Sequence, residues 1–126
     1  MSLSTPLAKA RGLGSAKSGT HHWIAQRLTA IALIPLSIWF IFSLVCMTEL
    51  NHQAATEWIQ SPLVAVFLLL FIIAMFHHAQ LGMQVVIEDY IDCKVMKITG
   101  LVLLKFVSFF AGLAAATAVL KIYLGS

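Results

Sequence analysis

The chain has 126 residues, of which 60% are hydrophobic and 10% charged, with a formal net charge of +3. A soluble domain carries about 25% charged residues, and a globule this small has too much surface for so few charges to solvate. Composition therefore excludes a water-soluble globule and assigns most of the chain to a bilayer. The basic residues are strung out along the chain, which also argues against a nucleic-acid platform.

A single membrane-embedded domain over residues 1–126 is expected at this length. Its first part, residues 1–20, is rich in Ser, Gly and Ala, carries Lys9, Arg11 and Lys17, and contains no acid. An organelle transit peptide has this bias, and so does a loosely ordered basic arm.

Three apolar segments follow, each near the roughly 20 residues a bilayer core requires. The first is expected over about residues 28–47 and contains Pro35, which membrane helices tolerate. The stretch from Thr48 to Ser61 reads as a loop with Glu49 and Glu57 but no Lys or Arg. Ser61-Pro62 then supplies an N-cap and a first helical residue for the second span, about 63–87. The third span is expected over about 98–120, where the small residues after Gly112 suit close helix packing in lipid. Trp23, Trp58 and Tyr123 lie near segment ends, where interfacial aromatics gather. Cys46 and Cys93 are far apart and outside any CxxC or zinc spacing, so no disulfide framework is expected.

Lys9, Arg11, Lys17 and Arg27 precede the first span, and Lys94 and Lys97 lie in the connection at 88–97. The positive-inside rule puts those regions, and the N-terminus, on the cytoplasmic or matrix side. The fold class is an all-α integral membrane protein with three transmembrane helices. Three helices enclose little interior, so a free-standing enzyme or channel is disfavoured and one subunit of a larger membrane assembly is expected. No internal repeat is visible, which argues against a transporter.

Ionisable residues within a span are costly and are functional candidates by default. His77 and His78 lie well inside the second span, in FHHAQLGMQVVIEDY. At about 100° per residue, His78 shares a face with Gly82, Val85 and Asp89, whereas His77 shares one with Leu81 and Glu88. His78 and Asp89 are about 16 Å apart along the axis. Imidazole ligates haem iron, and Gly82 removes a side chain one turn away, where a flat macrocycle could lie. The alternative is a histidine hydrogen-bonded to a neighbouring helix without any metal. The first and third spans contain no histidine, so a second axial ligand would come from a partner subunit.

Glu88, Asp89 and Tyr90 end the second span. They are either an ordinary helix end reaching water or a quinone site, with a phenol donating to the carbonyl and a carboxylate relaying protons. Arg27 at the start of the first span either pairs with a propionate or phosphate or snorkels as a positive-inside anchor. His21, six residues earlier, cannot share its helix face.

Together, THHWIAQRLTAIAL, the spacing of His78, Gly82, Asp89 and Tyr90, and three spans with the N-terminus inside resemble a known family over residues 19–124. It is that of the hydrophobic membrane anchor, or D, subunits of succinate dehydrogenase, respiratory complex II. The resemblance implies half of a heterodimeric membrane-anchor bundle in a bacterial inner membrane, or a mitochondrial inner membrane in a eukaryote. By the same resemblance, His78 would be an axial ligand of haem b, chosen over His77 by its spacing to Asp89-Tyr90. A cytochrome b-type C anchor subunit would supply the other ligand. Tyr90 would donate to ubiquinone with Asp89 beside it, and Arg27 and His21 would lie near the haem propionates or quinone. FAD and iron–sulfur clusters would reside only in the flavoprotein and iron–sulfur partners. A fumarate reductase anchor and a purely structural membrane subunit are the competing expectations.

Overall fold

Long apolar runs fold as helices, because lipid offers the backbone no hydrogen-bonding partner. The computed structural model describes residues 6–7 and 17–125. Among them are four helices: α1 (Lys17–Cys46), α2 (His52–Ile59), α3 (Pro62–Tyr90) and α4 (Lys94–Tyr123). No strand occurs among the described residues. Three of the helices, α1, α3 and α4, are long and apolar enough to cross a membrane.

Each of these three is longer than its apolar segment. α3 has 29 residues, or about 44 Å at 1.5 Å per residue, against a hydrocarbon core of about 30 Å. The surplus carries polar residues at the helix ends. α1 thus begins at Lys17 rather than near residue 28, and its early turns contain His21, Trp23 and Arg27. The connection expected over 88–97 shrinks to Ile91–Cys93, because α3 runs on to Tyr90 and α4 starts at Lys94. Most of the expected arm at 1–20 lies outside the described residues, and its last four residues form the first turn of α1.

α1 continues through Pro35. Two hydroxyls inside the spans bond within their own helix: Ser43 donates to the Trp39 carbonyl at 2.7 Å and Thr117 to that of Leu113 at 2.7 Å. Pro62 occupies the start of α3 as expected, but the Ser61 side chain makes no capping bond. Cys46 and Cys93 are free thiols, both exposed.

The stretch 48–61 is not all loop. α2 is capped by Asn51, whose side chain accepts from the Ala54 amide at 2.8 Å as an N-cap should. This eight-residue helix turns Trp58 and Ile59 onto the spans. Trp58 stacks on Trp39 (centroids 5.6 Å apart, planes at 26°) and meets Phe40 at 6.1 Å. Trp39 meets Phe67 edge-on at 5.2 Å, and Phe40 stacks on Phe71 at 5.2 Å. Aromatic pairs contribute about 0.5–1.5 kcal/mol each, so Trp58→Ala, losing two, should weaken α2 docking by about 1–3 kcal/mol. Faster amide exchange over 52–59 with unchanged exchange in α4 is the measurement that checks this.

Helix pairings show the layout. Thr29 on α1 lies against His78 and, ten residues on, Trp39 lies against Phe67, which runs α1 antiparallel to α3. Ideal Cβ atoms at Gly100 and Gly112 would stand 3.6 Å from Ile87 and Phe76 respectively, which runs α4 antiparallel to α3 on close-packed small residues. No residue pair from α1 and α4 comes within 8 Å at Cα. The spans therefore form a layer one helix thick with α3 in the middle. Six described residues are buried hydrophobics, and five of them, Ala65, Leu68, Ile72, Ala74 and Leu81, belong to α3. Large side chains such as Ile31, Ile38, Phe42, Phe106 and Phe110 face outward.

Candidate functional site

The antiparallel pairing of α1 and α3 brings together residues 49 positions apart. His78 is half-buried on α3, and its Nδ1 lies 3.1 Å from the Thr29 hydroxyl oxygen on α1. The same oxygen is 2.8 Å from the Ala25 carbonyl and 3.0 Å from that of Gln26. Thr29 is thus tied to its own helix while it holds the ring of another. His77 points elsewhere. It is exposed and borders an open groove of about 400 Å³ between α3 and α4, with Phe76, Gln80, Ser108 and Phe109. One helix thus directs its two adjacent imidazoles to different neighbours.

Below His78 on the same face, Gly82 has open space where a side chain would begin: an ideal Cβ there meets nothing within 4 Å. A Cβ at Gly100 or Gly112, by contrast, would stand in ordinary contact with the neighbouring helix. The face continues through Val85, which is 37% exposed, to the exposed Asp89. Tyr90 is 82% exposed, and among the described residues no side chain partners it or Asp89. Glu88 instead accepts from the Gln84 amide at 3.1 Å along the helix.

Stability does not account for these charges. Acidic residues at the C-terminal end of α3 and Lys94 and Lys97 in the first turns of α4 both oppose the helix dipole.

Arg27 lies two residues before Thr29, about 3 Å along the axis, so its backbone is near the level of His78. Its guanidinium rests 5.4 Å from the centre of the Trp23 ring, a cation–π contact within α1. His21 is exposed, about 12 Å further along α1 from Thr29. The fold therefore joins Arg27 to the His78 level and leaves His21 more distant. His22, its neighbour, has a buried Nε2 without a hydrogen-bond partner. Among the described residues, no three His, Cys, Asp or Glu side chains gather as a metal-binding group. A haem axial position asks for one imidazole from the chain, not three.

Thr29 and Gln80 carry no signal in a single sequence beyond being polar within an apolar run. Only the pairing of the helices distinguishes them from hydroxyls and amides satisfied in their own helix.

Comparison with known proteins identifies what this layer is. Residues 1–114 match the family described as succinate dehydrogenase/fumarate reductase transmembrane subunit. The chain belongs to this family of transmembrane subunits. It is 38% identical over 113 residues to the succinate dehydrogenase hydrophobic membrane anchor subunit of Rickettsia bellii, covering 90% of each chain. Identity to the corresponding subunit of Rickettsia conorii is 41% over 87 residues, covering 68% of this chain and 69% of that one. With that of Paracoccus denitrificans it is 34% over 87 residues, covering 68% and 67%. This succinate dehydrogenase/fumarate reductase subunit is a multi-pass membrane protein, and His21, Arg27, His78, Asp89 and Tyr90 all fall within the matched region.

Proposed function

We propose that this chain is the hydrophobic membrane anchor of a succinate:quinone oxidoreductase, helping to bind haem b and ubiquinone and to pass electrons to quinone. The observation that carries this reading is the arrangement along one face of α3. A half-buried imidazole held by Thr29 stands above the open space at Gly82, and the face ends at the exposed Asp89 with Tyr90 next in the chain.

These residues fit a haem. His78 Nδ1 is engaged by Thr29, which leaves Nε2 as the ligating atom, and one turn away the space where a Gly82 side chain would begin is open to a flat group. Haem bound there would supply one-electron redox capacity between the iron–sulfur clusters and quinone. The second axial ligand belongs to the C anchor subunit, because a layer one helix thick leaves this face to a partner. Arg27, by turning from Trp23, is placed to meet a propionate or a quinone-site group.

Quinone reduction consumes two protons along with two electrons. The Tyr90 phenol donates a hydrogen bond to the quinone carbonyl, and the Asp89 carboxylate conducts protons from the aqueous side. The iron–sulfur and flavoprotein subunits dock on the side of the α3–α4 connection, where the basic residues of the positive-inside pattern lie, in a bacterial or mitochondrial inner membrane. The relatives named above are succinate dehydrogenase subunits, which favours succinate oxidation over fumarate reduction.

Tyr90→Phe tests the quinone assignment. It removes one hydroxyl from an 82% exposed side chain and disturbs no packing. Quinone-dependent turnover should fall about tenfold, the rate equivalent of one net hydrogen bond in the transition state. Succinate oxidation by a water-soluble artificial acceptor should not change. Equal loss of both activities would assign Tyr90 to assembly instead.

A further inference from the structure

We propose that Thr29 is a positioning residue that fixes the tautomer and ring orientation of His78, so that Nε2 carries the lone pair offered to iron. This rests on the reading of His78 as the haem ligand.

A threonine hydroxyl has one hydrogen to donate and lone pairs to accept with. Thr29 Oγ1 stands 2.8 and 3.0 Å from the carbonyl oxygens of Ala25 and Gln26, both acceptors only. Two oxygens at 2.8 Å with no hydrogen between them repel, so the hydroxyl hydrogen lies toward the α1 backbone. What Thr29 presents to His78 is then a lone pair, and the 3.1 Å contact requires that Nδ1 carry the ring proton and donate it. In a neutral imidazole the other nitrogen is bare. The two ring nitrogens diverge, so Nε2 is directed away from α1.

A ligating histidine commonly donates its second N–H to a fixed acceptor, which raises its basicity and holds its plane, and loss of that acceptor lowers metal affinity about 10–100-fold. Here the acceptor comes from a different helix. The ligand on α3 is therefore oriented only when α1 is docked, and α1 also carries Arg27 at the same level. His77, exposed on the α4 side, has no such acceptor among the described residues.

The test uses the complete membrane complex with Thr29→Val, Thr29→Ala and Thr29→Ser. Valine keeps the shape and removes the acceptor; serine keeps the acceptor. Haem affinity of the Val and Ala variants should drop about 10–100-fold. Their midpoint potential should move to more positive values, because a less basic imidazole stabilises ferric iron less. Thr29→Ser should restore both. In the unaltered complex, hyperfine spectroscopy should find Nε2 on iron and an exchangeable proton on Nδ1. Native affinity and potential in Thr29→Val, a serine variant shifted as far as valine, or ligation through Nδ1 would each overturn the proposal. His78→Ala separates the two readings: if that variant keeps its haem, the ligand assignment itself fails. If it loses haem while Thr29→Val behaves as native, only the role of Thr29 fails.

Discussion

His78→Ala is expected to abolish the b-type haem spectrum of the assembled complex, whereas His77→Ala leaves it in place. The two histidines are adjacent, so composition and depth in the membrane treat them alike. Their surroundings differ. His78 is half-buried, engages Thr29 through Nδ1 and shares its face with the open space at Gly82. His77 is exposed beside a groove whose walls are Phe76, Gln80, Ser108 and Phe109. With His78 as one of two axial imidazoles, as proposed, its removal would break a six-coordinate low-spin state, so the effect should be a loss of the signal rather than a small shift. Difference spectra of dithionite-reduced membranes, normalised to the flavoprotein content, make the measurement. Bleaching by His77→Ala with an intact His78→Ala spectrum would transfer the ligand by one residue.

Leucine placed at Gly82 and at Gly112 should produce opposite kinds of damage. An ideal Cβ at Gly112 already stands 3.6 Å from Phe76 Cγ, an ordinary contact that alanine would fill. Leucine adds three further carbons to that contact and must displace Phe76, which packs against the core of Leu68, Ile72 and Val119. Overpacking of this kind costs about 1–3 kcal/mol, and it should separate α4 from α3 and reduce the amount of anchor recovered in membranes. At Gly82 an added Cβ meets nothing within 4 Å, and helix propensity favours leucine over glycine by up to about 1 kcal/mol. The Gly82→Leu anchor should accumulate normally while the complex loses haem. Normal haem content in Gly82→Leu would show that the space over this face is not used by the cofactor.

The chain's own residues made much of this legible. Its three spans follow from composition, since 60% hydrophobic and 10% charged residues leave no soluble alternative. The shared face of His78, Gly82 and Asp89 follows from helical periodicity. Ends of helices were less legible. α1 starts at Lys17, eleven residues before the apolar run, because a helix continues through polar residues once it leaves the hydrocarbon. α2 escaped altogether, although Asn51 is a good N-cap, because eight residues are too few to display a period against a polar background.

Sequence by itself thus determined which segments cross the membrane and which residues of α3 share a face, for both depend on local order along one helix. Tertiary structure decided the rest. It put Thr29 against His78 across 49 positions, turned His77 toward α4, and separated Gly100 and Gly112, which pack against neighbours, from Gly82, which does not. It also left α3 as the middle of a single layer with α1 and α4 apart. The reason is physical. In lipid an apolar surface gives no preference for one helix neighbour over another, so pairing is set by close contact of small residues and a few hydrogen bonds. Those depend on register between helices, which no single segment encodes.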